Sequence, residues 1–240
     1  MDEHEAARRA VLEKMRGGLV VSCQAYPGEP MRDPRTTVQV AQSVVRGGAV
    51  GVRVQGIDDV LAVSGVVDVP VVGLWKDGDD PVFITPTLEH AIAVARAGAD
   101  VVALDGTRRP RPDGLTLRAT VQALRVRYPD VAVMADCGSL DDALAAQEAG
   151  ADCVGTTLAG YTGERPRTVG PDLELVAQVV ERCSVPVVVE GRVNTPQDAA
   201  RALALGAATV CVGTAITHPT TITSWFVEAV TGEPVPGVGH

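Results

Sequence analysis

Four polar side chains close strongly apolar runs: Gln24 ends GLVVSCQ, Lys76 ends PVVGLWK, Asp136 ends VAVMAD and Glu190 ends VPVVVE. Runs of this kind read as buried strands, so a polar group at each C-terminal tip predicts one shared site. Lysine at the end of a buried strand is costly unless it is paired or deprotonated, and a purely structural Glu190 needs Arg192 or Lys76 as its partner. A lysine and a carboxylate aimed at one atom from opposite sides can epimerise a carbon beside a carbonyl. One group removes the acidified proton from one face, and the other delivers a proton to the opposite face. Two effects compete at Lys76, because nearby carboxylates hold it charged whereas service as a base needs its pKa lowered by desolvation. The plain structural alternative is a salt bridge from Lys76 to Asp77 or Asp79.

Bringing the four tips together requires a particular fold. Strand patterns occur at 18–24, 49–54, 69–75, 100–105, 131–135, 152–157, 185–190 and 208–213, and helical periodicity fills most of the gaps between them. The clearest helices are 87–98, 139–150, 172–183 and 195–206, with Ser139 and Thr195 as N-caps, Pro196 in a first turn, and Gly98, Gly150 and Gly206 at helix ends. The sequences GGAV, AGADVV, AGADCV and LGAATV lead into the even strands, and VPVV opens strands three and seven. This two-unit period suits βαβα quarters. We therefore expect a single-domain α/β fold, a (β/α)8 TIM barrel spanning 1–240. In such a barrel alternate strands supply each layer of inward side chains, so the tips of strands one, three, five and seven share a ring and strands three and seven face each other. The leading segment 1–17, helical over 3–16, is expected to cover the barrel floor or pad an interface, and the tail 232–240 is expected to be mobile.

Around the ring, Gln24 and Arg53 (in GVRVQ) offer donors to a carbonyl or enolate oxygen, and Asp136 can orient Lys76 or a sugar hydroxyl. Barrels of this type often hold phosphate with the loops after strands seven and eight. Those loops read EGRVNTP and VGTAITHP here. Gly191 and Gly213 permit close backbone approach, Arg192 supplies positive charge, and Thr214 offers a hydroxyl or caps the next helix. Each glycine alone is an ordinary tight turn; two such loops side by side favour a phosphate cup.

The composition excludes several other functions. Of 240 residues, 46% are hydrophobic and 3% aromatic, which suits a large Val- and Ala-rich α/β core. A net charge of −9 opposes binding to nucleic acid or an anionic membrane. The N-terminus is too charged for a secretory signal and no apolar run approaches the roughly 20 residues of a membrane span, so the expected location is cytoplasmic. The five cysteines, Cys23, Cys137, Cys153, Cys183 and Cys211, read as small buried thiols. The four histidines lack metal-ligand spacing, and no catalytic metal is expected.

The segments SCQAYPGEP, GVRVQG, VVGLWK, ALDGTRRPRPDG, MADCGS, LAGYTGE, VVEGRVNTP and VGTAITHPTTITSWF occur in an order and at barrel positions that resemble the N-acetylmannosamine-6-phosphate 2-epimerases, over about residues 18–227. The resemblance implies interconversion of N-acetylmannosamine 6-phosphate and N-acetylglucosamine 6-phosphate in amino-sugar (sialic acid) catabolism, without an organic cofactor. It makes Lys76 and Glu190 the acid–base pair, with Gln24, Arg53 and Asp136 completing the sugar site. One departure stands out: the segment expected to read AITRP reads AITHP, so His218 replaces an arginine that helps hold the anionic substrate in similar enzymes. The stretch RPRTVGP after YTGE is a second place where specificity can differ. Two other readings stay open, a Schiff-base phosphosugar lyase or aldolase using Lys76 and a non-catalytic phosphosugar-binding barrel. The expected partners are a small phosphosugar and, as a homo-oligomer, a second copy in a dimer.

Overall fold

The computed structural model describes residues 2–26 and 28–237. Eight parallel strands form a closed barrel in chain order: β1 (Leu19–Cys23), β2 (Gly51–Gln55), β3 (Val71–Leu74), β4 (Val101–Asp105), β5 (Ala132–Asp136), β6 (Cys153–Gly155), β7 (Val187–Glu190) and β8 (Thr209–Val212). Closure is made by β1, which pairs with β2 on one side (Val20 with Gly51) and with β8 on the other (Leu19 with Val210). The helices are α1 (Glu3–Met15), α2 (Pro34–Arg46), α3 (Ile57–Ser64), α4 (Leu88–Arg96), α5 (Leu117–Arg127), α6 (Leu140–Ala149), α7 (Leu173–Arg182), α8 (Pro196–Ala204), α9 (Thr214–Thr217) and α10 (Pro219–Thr231). The TIM-barrel expectation is met.

Alternation along the strands sorts the valines into two cores. Val20, Val72, Val101, Ala132, Cys153, Val188 and Cys211 fill the barrel interior, and Leu12 and Met15 of α1 join them from below. Their strand neighbours Val21, Val52, Val71, Val102, Val133 and Val154 pack outward under the helices. The leading helix therefore plugs the floor, as one of the two expectations held. It is tied there by Thr209 Oγ1, which donates to the Met15 carbonyl at 3.0 Å, and by Arg8 Nε, which donates to Asp152 at 3.1 Å.

The helix ends follow the punctuation. Ser139 and Thr195 each accept from the backbone N–H three residues on, and Pro196 opens α8. Gly98, Gly150 and Gly206 sit at φ of 101°, 98° and 99°, a left-handed turn-off that a side chain resists. Two strands stop short of the expected limits for a reason that matters to the site. Strand β3 ends at Leu74, and Lys76 instead bridges antiparallel to Ile84 in the following loop, where Thr85 N–H donates to the Trp75 carbonyl at 2.7 Å. Strand β6 ends at Gly155, because Thr156 and Thr157 turn their hydroxyls onto neighbouring strand ends. Of the expected mobile tail 232–240, residues 238–240 lie outside the described residues. No described helix is long and apolar enough to cross a membrane.

Candidate active site

The interior side chains change character at the C-terminal end of the barrel, where valines give way to charge. Arg53, third residue of β2, is 1% exposed and reaches across the barrel. Its Nη2 donates to Asp136 Oδ2 at 2.7 Å and its Nη1 to Asp136 Oδ1 at 3.2 Å, and Nη1 also lies 3.1 Å from Glu190 Oε2. One planar guanidinium thus holds two carboxylates from strands β5 and β7, a task for which its fixed fork of donors is suited. Burial opposes this charge, but the two carboxylates outweigh it and push the Arg53 pKa up.

The partner of Glu190 is therefore Arg53, a residue on an even-numbered strand, and neither Arg192 nor Lys76. Lys76 makes no ion pair among the described residues. Asp77, one of its sequence neighbours, pairs with His90 instead, at 3.1 Å. The Lys76 ammonium position lies 5.9 Å from the centroid of the Tyr26 ring. Burial and then the Arg53 charge push the Lys76 pKa down, against the pull of Glu190 and Asp136. Burial pushes the Glu190 pKa up, followed by the opposing influence of Arg53. At Lys76 burial, joined by the nearby Arg53 charge, outweighs the pull of the two carboxylates, which Arg53 itself pairs. Since β3 and β7 stand on opposite sides of the closed barrel, the lysine and glutamate approach the mouth from opposite sides.

Gln24 is buried just beyond β1, and its Nε2 donates to Ser22 Oγ at 2.8 Å. The turn after β7 places Gly191 and then Arg192 in the left-handed region, at φ of 106° and 55°. Such backbone is strained for arginine, and side-chain bonds compensate: Arg192 Nη1 donates to the Ala159 carbonyl at 2.9 Å, Nε to the Gly170 carbonyl at 3.3 Å and Nη2 to Thr168 Oγ1 at 3.2 Å. Its guanidinium also lies 5.2 Å from the Tyr161 ring centroid. Arg192 thereby straps the β6–α7 loop, including the RPRTVGP stretch, over the barrel end. After β8, Gly213 approaches Ser22 so closely that a Cβ there would lie 3.2 Å from the Ser22 Cβ, and Thr214 opens the short α9. His218, which follows, is buried against the Tyr26 ring at 4.7 Å between centroids; its Nδ1 has no hydrogen-bond partner among the described residues and lies 3.8 Å from Glu29 Oε2. Burial pushes the His218 pKa down, with Glu29 opposing.

Three participants escaped the strand-tip reading. Thr156 brackets the Glu190 backbone: its Oγ1 donates to the Glu190 carbonyl at 2.9 Å and accepts from the Glu190 N–H at 3.2 Å. Thr157 Oγ1 donates to Asp136 Oδ1 at 2.6 Å. Tyr26 joins Lys76 to His218. The signal for the threonines was present, since TT follows GADCVG at the tip of an even-numbered strand; the same rule applied to even strands finds them, whereas Arg53 lies inside β2 and not at its tip. The buried cysteines are free thiols whose pKa is raised by burial, that of Cys23 to about 12.

The family described as "Putative N-acetylmannosamine-6-phosphate epimerase" matches residues 37–232. A protein of Cutibacterium acnes described as "Putative N-acetylmannosamine-6-phosphate 2-epimerase" is 61% identical over 222 residues, 92% of this chain and 96% of its own. One of the same description from Caldanaerobacter subterraneus subsp. tengcongensis is 42% identical over 223 residues, covering 92% and 94%. The solved structure of the N-acetylmannosamine-6-phosphate 2-epimerase from Clostridium perfringens superposes with a TM-score of 0.87 at 35% identity, covering 91% of this chain and 95% of that one. With a closed eight-stranded barrel, a lysine and a glutamate on opposing strand ends, and relatives matched over nearly their whole length, the chain belongs to the N-acetylmannosamine-6-phosphate epimerase family.

Proposed function

We propose that this chain interconverts N-acetylmannosamine 6-phosphate and N-acetylglucosamine 6-phosphate in amino-sugar catabolism, with Lys76 and Glu190 moving the C2 proton. The observation that carries the reading is the opposed pair itself: burial lowers the pKa of Lys76 and raises that of Glu190. These shifts bring the neutral pair, amine and carboxylic acid, closer in energy to the charged pair, ammonium and carboxylate. A reversible two-base enzyme needs that balance, because each turnover converts one pair into the other.

In the open-chain sugar the C1 carbonyl acidifies the C2–H. The Lys76 amine takes that proton, the electron pair moves onto the C1 oxygen, and the Glu190 carboxyl protonates C2 from the opposite face. The reverse reaction exchanges their roles. Gln24 and Arg53 serve as donors toward the enolate oxygen, and Asp136 orients the sugar. The phosphate sits over the turns after β7 and β8, at Gly191, Gly213 and Thr214, with Arg192 and His218 at its edge. Because the Arg192 guanidinium is taken up by loop carbonyls and His218 is held neutral, backbone donors carry most of this contact. The enzyme works in the cytoplasm as a dimer; support for a second copy comes from Phe226, Val227 and Val230, apolar and exposed on α10.

During turnover in D2O, deuterium is expected at C2 of the product, read by proton NMR. Product that stays fully protonated would sink the solvent-exchanging two-base scheme. Borohydride added with substrate is expected to leave Lys76 unmodified; a covalent adduct would favour the Schiff-base lyase. The pH profile of kcat/KM is expected to be bell-shaped, because only the state with one proton shared across the pair holds both an acid and a base. Its limits belong to the pair and lie inside the ordinary glutamate and lysine values of 4.5 and 10.5, since one is raised and the other lowered. A flat profile between those values would contradict the assignment.

A further inference from the structure

Thr157 sits between the two carboxylates that Arg53 neutralises. Its Oγ1 lies 2.6 Å from Asp136 Oδ1 and 3.3 Å from Glu190 Oε2. A hydroxyl has one proton and two lone pairs, so it can donate to only one carboxylate at a time. The shorter contact marks Asp136 as the acceptor. The position is built for this contact. Gly155 precedes it on β6, where a Cβ would fall 3.2 Å from Thr157 Oγ1, 3.3 Å from Asp136 Oδ1 and 2.5 Å from Met134 Cε. The turn after β7 crosses directly over it, with a Cβ at Gly191 lying 3.6 Å from the Thr157 carbonyl oxygen. Thr156 meanwhile pins the Glu190 backbone at both its N–H and its carbonyl.

We infer that Thr157 is a positioning residue that sets the orientation and protonation of Glu190, giving its proton to Asp136 and turning a lone pair toward Glu190 Oε2. A protonated Glu190 can donate into that lone pair, whereas an ionised Glu190 finds no donor there and relies on Arg53, with Lys76 and Cys211 also favouring the ionised form. The hydroxyl therefore discriminates between two carboxylates that share one guanidinium. It supports the acid form of Glu190, the form that must deliver a proton to C2 in one direction of the reaction. The other groups facing Glu190 are Arg53 from β2, Lys76 beyond β3, Asp136 from β5, Cys211 from β8 and Tyr26 from the loop after β1. Among the described residues facing Glu190, Thr157 has its hydroxyl within reach of both carboxylates, where it can accept from the acid while donating to the competing one.

The kinetic part of this inference rests on the epimerase reading, so the decisive measurement avoids substrate. Protein labelled with carboxyl-13C glutamate is titrated by NMR, with Glu190→Gln identifying the Glu190 resonance. Thr157→Val is expected to lower the Glu190 midpoint by about half to one pH unit, the equivalent of one net hydrogen bond to the acid form. Thr157→Ser keeps the hydroxyl and is expected to keep the midpoint. Should Thr157→Val fail to fold, Thr157→Ala gives the same readout without the added methyl. A midpoint that is unmoved or raised in the valine or alanine variant overturns the inference, as does a serine variant that shifts as far as the valine one. In the epimerase assay, Thr157→Val is expected to lose roughly 10- to 100-fold in kcat with KM nearly unchanged, its acid limb moving with the NMR midpoint, and Thr157→Ser to recover most of the rate. A shifted midpoint in a protein that epimerises nothing would count against the epimerase reading alone. Wild-type kcat and an unmoved acid limb in Thr157→Val would count against the role of Thr157.

Discussion

Lys76→Ala and Glu190→Ala are each expected to reduce kcat for epimerisation by about 10²–10⁴-fold, the scale of a lost general acid or base. Each turnover needs both groups, one to take the proton and one to return it from the far side. Losing either stops the reaction in both directions, and the double variant should be little slower than the worse single one. The fold should survive both changes, for different reasons. Lys76 makes no ion pair among the described residues, and the buried carboxylates near it keep Arg53 as their direct partner when it is removed. Glu190 is a buried carboxylate with a raised pKa, which means that it opposes folding at neutral pH, and its removal leaves Arg53 still paired with Asp136 through two hydrogen bonds. Turnover measured beside circular dichroism and thermal unfolding tests the pair. Near-wild-type turnover in either single variant would remove that residue from the chemistry. A folded, inactive pair with unchanged deuterium exchange at C2 would show that proton abstraction lies elsewhere.

Arg53→Met should damage stability as well as rate. The guanidinium is 1% exposed and is the common partner of two carboxylates. Taking away one member of a buried charge cluster costs about 3–5 kcal/mol, because the remaining charges are left desolvated and unpaired. For a chain of this size that corresponds to a fall in Tm of roughly 6–20 °C. The pH dependence carries a definite sign. The folded pKa of Glu190 already stands above its ordinary value of 4.5, so its contribution to stability is fully present below that value and is lost as pH rises through the folded pKa. Removing Arg53 takes away an influence that lowers this pKa. The deficit of Arg53→Met relative to wild type should therefore be smallest near about pH 5 and grow toward about pH 8. Arg53→Lys should recover only part of the loss, since a single ammonium cannot reproduce two parallel bonds to Asp136 together with the contact to Glu190. A Tm deficit that is small, or that widens as pH falls, would show that Arg53 does not act as the counter-charge.

The strap formed by Arg192 gives its charge structural contacts that residue type alone does not reveal. In the sequence, an arginine after the seventh strand of an acidic barrel points to a phosphate. In the fold, its backbone is left-handed and its guanidinium is filled by the Ala159 and Gly170 carbonyls and Thr168. Those acceptors come from a loop more than twenty residues earlier, a separation that no local pattern encodes. His218 is a similar case. Its neighbours Tyr26 and Glu29 belong to the loop after β1, brought beside it only because β1 and β8 close the barrel.

The amino-acid sequence was enough to specify the strands, helices, caps and barrel, because these rest on short-range regularities: apolar runs of strand length, three- and four-residue helical spacing, and glycine where the chain turns left-handed. It also leads to the expectation that Lys76, Asp136 and Glu190 share one ring, since eight repeated units and a closed sheet leave strand tips nowhere else to point; in the fold Asp136 and Glu190 meet through Arg53. Which charges pair was decided only when the barrel closed. Arg53 starts one layer deeper on β2, yet its side chain is long enough to cross the interior and take both carboxylates, while Lys76 makes no ion pair among the described residues and burial lowers its pKa. Strand register, side-chain reach and burial act through contacts between residues far apart in the chain, 137 positions between Arg53 and Glu190 and 191 between Leu19 and Val210. The energies that distinguish a catalytic lysine from a structural one depend on those contacts and on the water that the closed barrel excludes.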